Sequence, residues 1–583
     1  MSAERAEGPL TGDGGTRWLL RGFDESEASR LARALDVPPL VAGLLAARGV
    51  RTEEEARALL HPGLEQLHDP SLMLGMERAS ERVLRAVDSG ERVLVYGDYD
   101  VDGTTGTVVL RRALGLLGAR TGYHVPHRFT EGYGIRQDVL ERAKAEGYSL
   151  VISVDCGIRA HEPLEWAKAN GLDVIVTDHH LPDADEGAPP AFAVLNPNQR
   201  GCDYPDKNLA GVGVAFKLAH ALFRARGREH LIGGFLKVVA IGTVADVAQL
   251  TGENRAIVAL GLADLPKATN PGLRALMEVA GLGDGRVTRA VDLGFRIGPR
   301  INAAGRMDAA RAVVELFEAS DMEEARRLAA HLDARNRERQ SVQALITARA
   351  IQEFEEGGDC DAHVAVIAGE GWHRGVIGLA ASKIAELLHR PCVVISIDED
   401  GLGHGSARST EDFHLLDALT ECADLFEGFG GHAHAAGLGI RRENIAELRR
   451  RLSAIAAQRR APADTAAPSL HIDAELGSDA LTLELCDALC RLEPFGAGWP
   501  RPVFLTRNWR VVGEPRVVKE RHLKIRVAGA DGRTHDALWW GGVAACAATP
   551  RPGQSIELAY SLETNTWRGE TNLQLVVEDM RSG

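Results

Sequence analysis

The stretch Val93-Leu-Val-Tyr-Gly-Asp-Tyr-Asp-Val-Asp-Gly103 constrains this chain more than any other. Val93 to Tyr96 is an apolar, β-branched run that predicts a buried strand. Its end carries Asp98, Asp100 and Asp102. In an extended segment a spacing of two sends side chains to one side, so three carboxylates would share one face. Like charges that close repel, and a bound multivalent cation is the simplest remedy. Gly103 reads as a tight turn into an apolar-periodic helix over 104–118. A ligand cluster at the C-terminal end of a strand is where open α/β sheets place their sites.

The chain around that stretch supports such a sheet. Arg92–Tyr96, Leu150–Val154, Val174–Thr177 and Ala193–Leu195 read as short strands, with helical patterns over 104–117, 135–146 and 161–170 between them. The alternation predicts a parallel α/β sheet with helices on both faces. After Val154 comes Asp155-Cys-Gly157, and after Thr177 comes Asp178-His179-His180. A helix-like run over 235–244 ends in Ala245-Asp246. Taken singly, an aspartate after a strand is a turn residue or cap, and paired histidines are surface polar residues. Together they place acids and imidazoles at adjacent strand ends, which caps do not explain. Oxygen donors with one or two imidazoles suit Mn²⁺ or Mg²⁺ better than zinc. So many carboxylates suit two ions that clamp a phosphoryl oxygen and activate a water.

These motifs, Gly97-Asp-Tyr-Asp-Val-Asp-Gly103, Val154-Asp-Cys-Gly157, Thr177-Asp-His-His180 and Gly242-Thr-Val-Ala-Asp246, resemble the four metal motifs of the DHH phosphoesterase superfamily. Arg128-Phe-Thr-Glu-Gly-Tyr-Gly134, Asn208-Leu-Ala-Gly-Val-Gly213 and Ile297-Gly-Pro-Arg-Ile-Asn-Ala-Ala-Gly-Arg-Met307 resemble its single-strand-specific 5′→3′ DNA exonuclease branch, from about residue 18 onward. The resemblance implies that Asp98, Asp100, Asp102, Asp155, His179 and Asp246 are metal ligands, with Asp155 bridging two ions. It sets Asp102, Asp155, His179 and His180 at the catalytic centre, His180 against the scissile phosphate or orienting a ligand. Tyr96 stands where small pyrophosphatases of the superfamily place a ligand histidine, a departure expected of the nuclease branch.

Downstream, Arg286, Arg289, Arg296, Arg300, Arg306 and Arg311 interleave with Gly294, Gly298, Gly305 and Pro299. The glycines and proline predict a loop-rich segment. Its arginines read either as a phosphate-binding wall or, blandly, as partners of acidic neighbours; the family resemblance favours the wall for Arg300, Asn302 and Arg306, and adds Arg128 from its own motif as a substrate contact. Asp321 to Glu356 is a polar helix without Gly or Pro, a connector between two lobes. A second α/β unit follows. Gly369-Glu-Gly-Trp-His-Arg-Gly-Val-Ile-Gly378, Gly403-His-Gly-Ser-Ala-Arg408 and Phe429-Gly-Gly-His-Ala-His-Ala-Ala-Gly437 resemble the DHHA1-type accessory domain. That likeness makes Arg374, Ser406, Arg408 and His432 the expected phosphate or nucleotide contacts, with His373 and His434 behind them.

The expected organisation is thus multidomain α/β: a helical cap on the sheet (1–90), a DHH catalytic domain (91–320), the connecting helix (321–357), a DHHA1-type domain (358–460), and a linker with an OB-fold-like β-barrel (461–583). The chain's 583 residues are too many for one core. Its net charge of −15 argues against a uniformly basic coat, yet residues 501–533 hold nine Lys/Arg against three acids. A basic, aromatic-containing barrel suits single strands. No apolar run is long enough for a membrane span, and Met1 to Arg17 shows no signal-peptide core. The eight scattered cysteines fit a reducing cytoplasm. The expectation is a cytoplasmic, monomeric, metal-dependent exodeoxyribonuclease acting on single-stranded DNA in repair and recombination. The resemblance adds single-strand-binding protein and a recombination helicase as candidate partners. Two other readings are a phosphodiesterase for short RNA or cyclic dinucleotides, and a non-catalytic replication scaffold. A further C-terminal partner-binding domain is not expected in this sequence.

Overall fold

The computed structural model describes residues 10–583 except 14, 184, 284–287, 308–309, 357–361, 411–412, 460–468 and 568. Arg286 of the arginine run and most of the 456–469 linker lie outside the described residues. Five parallel strands form the first sheet, in the order Arg120–His124, Arg92–Tyr96, Tyr148–Val154, Asp173–Thr177, Ala193–Leu195. The chain enters in the second of these, steps to one side, then crosses to the other. Arg92–Tyr96 and Tyr148–Val154 therefore flank the point where the strand order reverses, and the crevice outside their C-terminal ends is open to a ligand.

Alternate residues of the central strands face opposite layers. Val93, Val95, Leu150 and Ile152 pack with the helices Met76–Asp88, Val101–Leu116 and Gly211–Ala225. Leu94, Tyr96, Val151 and Val174 pack with Gln137–Ala145 and His161–Ala169. The edge strand Arg120–His124 was not expected, because Arg-Thr-Gly-Tyr-His has no apolar run. It pairs on one side only, where such a sequence is tolerated.

Three expectations need correction. The aspartates of the opening motif do not lie on an extended segment. The helix begins at Val101, so Asp98 follows the strand, Asp100 caps the helix through Gly103 N–H at 2.9 Å, and Asp102 sits in the first turn. They converge through a strand-to-helix turn. Gly103 is helical, and its bareness serves close approach: a Cβ there would lie 2.6 Å from the Asp98 nitrogen.

The segment 290–306 is helical throughout. A turn of π-helix, Leu293–Ile297, runs into Gly298–Arg306, with Pro299 in that helix's first turn, where a missing N–H costs nothing. The N-terminal helices also do not all cap the sheet. Glu25–Leu35 ends at Asp36, whose φ is +52°, and a second helix starts at Pro39. These two helices and Glu53–Leu60 share a core with the barrel, where Leu31, Leu44 and Leu45 join Trp509, Ile525 and Tyr560. Of the N-terminal helices, Met76–Asp88 covers the sheet.

The helix Met322–Glu356 is 35 residues long, so it spans about 50 Å. Ala325, Leu328, Ala329 and Leu332 anchor it in the first lobe, and Ile346, Ala350 and Phe354 in the second. The second lobe's sheet runs Phe426–Gly431, Ala435–Arg441, Leu402–Arg408, Cys392–Ile397, Ala365–Glu370, with only the last pair parallel. In the C-terminal barrel, Phe504–Val511 pairs with both His522–Ala528 and Ser555–Trp567, while Thr534–Trp539 lies parallel to Glu570–Ser582. That closure is the OB arrangement. Trp509, Trp539 and Tyr560 are barrel core, whereas Trp540 is exposed.

The shared core makes a prediction. Leu44→Ala is expected to cost about 2–5 kcal/mol and to raise hydrogen exchange in the barrel strands Phe504–Val511 and His522–Ala528. Increased exchange confined to Arg92–Tyr96 would show instead that these helices cap the catalytic sheet.

Candidate metal centre and phosphate-binding cleft

Four chain segments end at the crevice. Asp98 lies two residues beyond Arg92–Tyr96, and Asp155 directly follows Tyr148–Val154 with φ +60°, a left-handed conformation aspartate tolerates. His179 and His180 follow Asp173–Thr177, and Asp246 caps the C-terminus of Leu236–Ala245. The first amides of Gly211–Ala225 hold Asp102: Gly211 N–H and Val212 N–H donate to its two oxygens at 2.6 and 2.7 Å. His179 Nε2 lies 3.2 Å from Asp155, 3.7 Å from Asp102 and 3.9 Å from Asp246. Three donor groups result, each with its ligand atoms within 4.8 Å of one another: Asp98–Asp100–Asp155, Asp102–His179–Asp246 and Asp155–His179–His180. Asp155 belongs to two of them, the position a bridging carboxylate needs. All six ligands expected from sequence are brought together.

The electrostatics test whether a cation fits. Asp98, Asp102 and Asp155 are almost fully buried. Burial and neighbouring carboxylates hold Asp98 and Asp155 well above the usual range, push Asp102 up to about 7 and Asp246 up to about 9. Burial, then His180, pushes His179 down to about 4. One oxygen each of Asp98 and Asp155 is buried with no hydrogen-bond partner. Lone pairs left that way are costly unless they meet a cation. The donor set fits divalent ions of the Mg²⁺ or Mn²⁺ class.

Asp178 has a different task. It is fully buried and accepts from the backbone N–H of Ile158, His179 and His180 and from the His180 ring. Burial opposes its charge, but those bonds hold its carboxyl below the usual value. Burial likewise works against a charged His180, and Asp178 outweighs it and raises that pKa. Asp178 therefore orients His180 and belongs to none of the three donor groups.

The facing wall is cationic. A cavity of about 390 Å³ is lined by Asp98, Asp100, Asp155, His180 and Asp246 on one side and by Arg128, Asn302, Arg306, Tyr99 and Tyr133 on the other. Arg128 lies over the Tyr99 ring at 4.7 Å, and Tyr133 Oη is 3.2 Å from His180 Nδ1. Burial, then Arg128, Arg339 and Arg408, pushes the Arg306 guanidinium down to about 10. Burial and Arg128 also lower Arg408, which donates to Ser406 Oγ at 3.1 Å. Guanidiniums from both lobes thus crowd one place, which an anion would relieve.

Three expected contacts stand elsewhere. Arg300 pairs with Asp333 on the long helix at 2.9 Å and donates to the carbonyls of Arg296 and Val279. It follows the bland reading, because it points to the opposite side of its helix from Asn302 and Arg306. Arg374 pairs with Asp398 at 3.0 Å on the surface. His432 sits exposed just after Phe426–Gly431 and is not among the residues lining the cavity. Sequence reasoning missed Tyr99, Tyr133 and Arg339. Both tyrosines lie inside the quoted motifs, so their position was the available signal; Arg339 was hidden among the polar residues of the long helix.

Comparison with known proteins bears on this geometry. Family models match at residues 92–243 (DHH family, N-terminal domain), 361–458 (DHHA1 domain) and 472–579 (RecJ OB domain). The single-stranded-DNA-specific exonuclease RecJ of Bacillus subtilis is 38% identical over 97% of this chain and 70% of its own. That of Escherichia coli is 35% identical over 94% of this chain and 96% of its own. The chain belongs to the RecJ family. A crystal structure of RecJ in complex with Mn²⁺ from Thermus thermophilus superposes with a TM-score of 0.83 at 31% identity, over 97% of this chain and 80% of that one. Another from the same source holds Mg²⁺. The two ions found in those RecJ crystals are the class the present donor set fits.

Two variants probe this geometry. In metal-free protein, Asp155→Asn is expected to raise the melting temperature, because it removes one of the repelling charges. The same variant should lose the Mn²⁺-dependent stabilisation, about 2.7 kcal/mol at a hundredfold excess over Kd. A wild-type response to Mn²⁺ in calorimetry would remove Asp155 from the ligand set. Arg300→Ala is expected to cost roughly 3 kcal/mol in denaturant unfolding while Mn²⁺ affinity stays unchanged.

Proposed function

We propose that the protein is a metal-dependent exonuclease that hydrolyses phosphodiester bonds of single-stranded DNA from the 5′ end. The observation that carries this reading is a cavity with four carboxylates and the His180 imidazole on one wall and the guanidiniums of Arg128 and Arg306 on the other, with Arg408 of the second lobe near enough to lower Arg306. Such a cavity takes one phosphate-bearing unit at a time.

Asp98, Asp100, Asp102, Asp155, His179 and Asp246 would hold two Mn²⁺ or Mg²⁺ ions. When bound, such ions activate a water and neutralise charge developing on the phosphoryl oxygens. Arg128, Arg306 and Arg408 grip phosphate oxygens from the opposite side. A 5′-terminal phosphate carries more charge than an internal one, so a crowded guanidinium wall favours an end. His180, fixed by Asp178, stands where it can hold a proton at the scissile phosphate. Tyr99 and Tyr133 offer ring faces to the sugar or base. The grip falls on phosphates and not on base edges, so sequence preference is weak. The barrel extends the track: Arg516, Lys524 and Arg526 line one groove across its sheet together with Glu514 and Asp536, the last paired with Lys524 at 2.8 Å, and that face of an OB barrel suits a single strand. Single-strand-binding protein and a recombination helicase remain the partners this reading brings, for a monomeric enzyme.

Asp102→Ala is expected to cut hydrolysis of single-stranded DNA with Mn²⁺ by about a thousandfold, the equivalent of ~4 kcal/mol of lost transition-state stabilisation. Arg306→Ala should raise KM more for 5′-phosphorylated than for 5′-hydroxyl strands. Near-normal turnover by Asp102→Ala, or wild-type preference for duplex or cyclic dinucleotides over single strands, would overturn the proposal.

A further inference from the structure

One of the contacts between the two lobes beside the cavity falls at a bare position. Gly375 is buried in the first turn of the helix Arg374–Leu388, and its carbonyl accepts from Arg306 Nη1 at 3.1 Å. A Cβ placed on it would lie 2.6 Å from the Arg306 carbonyl oxygen and 2.8 Å from Phe129 Cζ, both in the other lobe. Phe129 also meets the ring of His373 edge-on, with centroids 5.8 Å apart. Gly375 does not have a positive φ. Its conformation is an ordinary helical one, so the close approach, and not the backbone, requires glycine there.

The residues around this contact are those that form the cationic wall. Arg306 bonds Gly375 directly, and Arg128 adjoins Phe129 in sequence. On the second-lobe side, Gly378 is one turn further along the same helix. A Cβ on it would lie 3.0 Å from Ser406 Oγ and 3.2 Å from an Arg408 guanidinium nitrogen. The spacing between lobes at Gly375 therefore sets how far Ser406 and Arg408 stand from Arg128 and Arg306.

We propose that Gly375 is the positioning residue on which the lobes close, and that its missing side chain sets the separation at which guanidiniums from both lobes meet on one phosphate. The proposal rests on the nuclease reading above. A methyl group at Gly375 acts as a wedge against a backbone carbonyl and an aromatic ring. The ring can turn aside, but the Arg306 carbonyl cannot retract without moving the helix that carries it, and displacement of about 1 Å at a reacting centre costs on the order of a hundredfold. The metal ligands all lie in the first lobe, so the wedge leaves them in place.

The test compares Gly375→Ala and Phe129→Ala with the wild-type full chain. The substrates are single strands carrying either a 5′-phosphate or a 5′-hydroxyl. Alanine is the better helix residue, so Gly375→Ala is expected to keep its melting temperature and its Mn²⁺ affinity in calorimetry. Its kcat/KM on 5′-phosphorylated strands should fall about a hundredfold, and the preference for phosphate over hydroxyl should shrink toward one. Phe129→Ala removes the ring without adding bulk, and should reduce the same preference; it carries the test alone if Gly375→Ala does not fold. Wild-type end preference in the folded variants would overturn the proposal, as would an equal loss on both substrates together with lost Mn²⁺ binding. A wild-type enzyme inactive on every single strand would instead sink the nuclease reading.

Discussion

Repulsion among carboxylates gathered at the strand-order switch is the interaction on which the rest of this structure depends. Two unit charges 4 Å apart in a surface-like environment repel by about 4 kcal/mol, and here five carboxylates meet, three of them almost fully buried. The parallel sheet brings them together because its crossovers diverge between Arg92–Tyr96 and Tyr148–Val154. The backbone does not relax the arrangement. Asp155 is held in the left-handed region and Asp102 is pinned by two amides of a neighbouring helix. A site this rigid and this negative is completed by cations. Once they are present, the local preference for protonation inverts.

The opposite wall has the same property with the sign reversed. Burial, then Arg128, Arg339 and Arg408, lowers Arg306, and burial, then Arg128, lowers Arg408; these four arginines come from the two lobes and the helix that joins them. Each wall is incomplete alone. A phosphate with its divalent counter-ions satisfies both, which is why the cleft and the metal centre are one device. The long helix makes this possible by burying one end in each lobe's core, so that the lobes are held at a defined separation.

Much of this was legible in the sequence, for identifiable reasons. Buried parallel strands such as Val93–Tyr96 and Leu150–Val154 are apolar runs, the second broken only by Ser153, so they and the acids that follow them could be read directly. The ligand set was legible because each member lies just beyond such a run or at a helix end. What failed were the signals that depend on tertiary partners. The polar edge strand Arg120–His124 has no pattern of its own. Glycine and Pro299 in 290–306 read as loop, yet the π-turn places the proline where a helix accepts it. Arg300 and Arg306 look alike among the arginines of one segment; only the helix, by sending one toward Asp333 and the other into the cavity, tells them apart. Glu25–Leu35 and Met76–Asp88 are amphipathic and Pro39–Ala47 is apolar nearly all round, but neither pattern says which core a helix covers.

The most direct measurement is anomalous diffraction at the manganese edge from crystals of the full chain grown with Mn²⁺. The account predicts two peaks roughly 3.5–4 Å apart, with a carboxylate oxygen of Asp155 bound to both and His179 bound to one. No peak in that crevice, or manganese found instead at the His161–Asp183–Glu186 group on the surface, would contradict it.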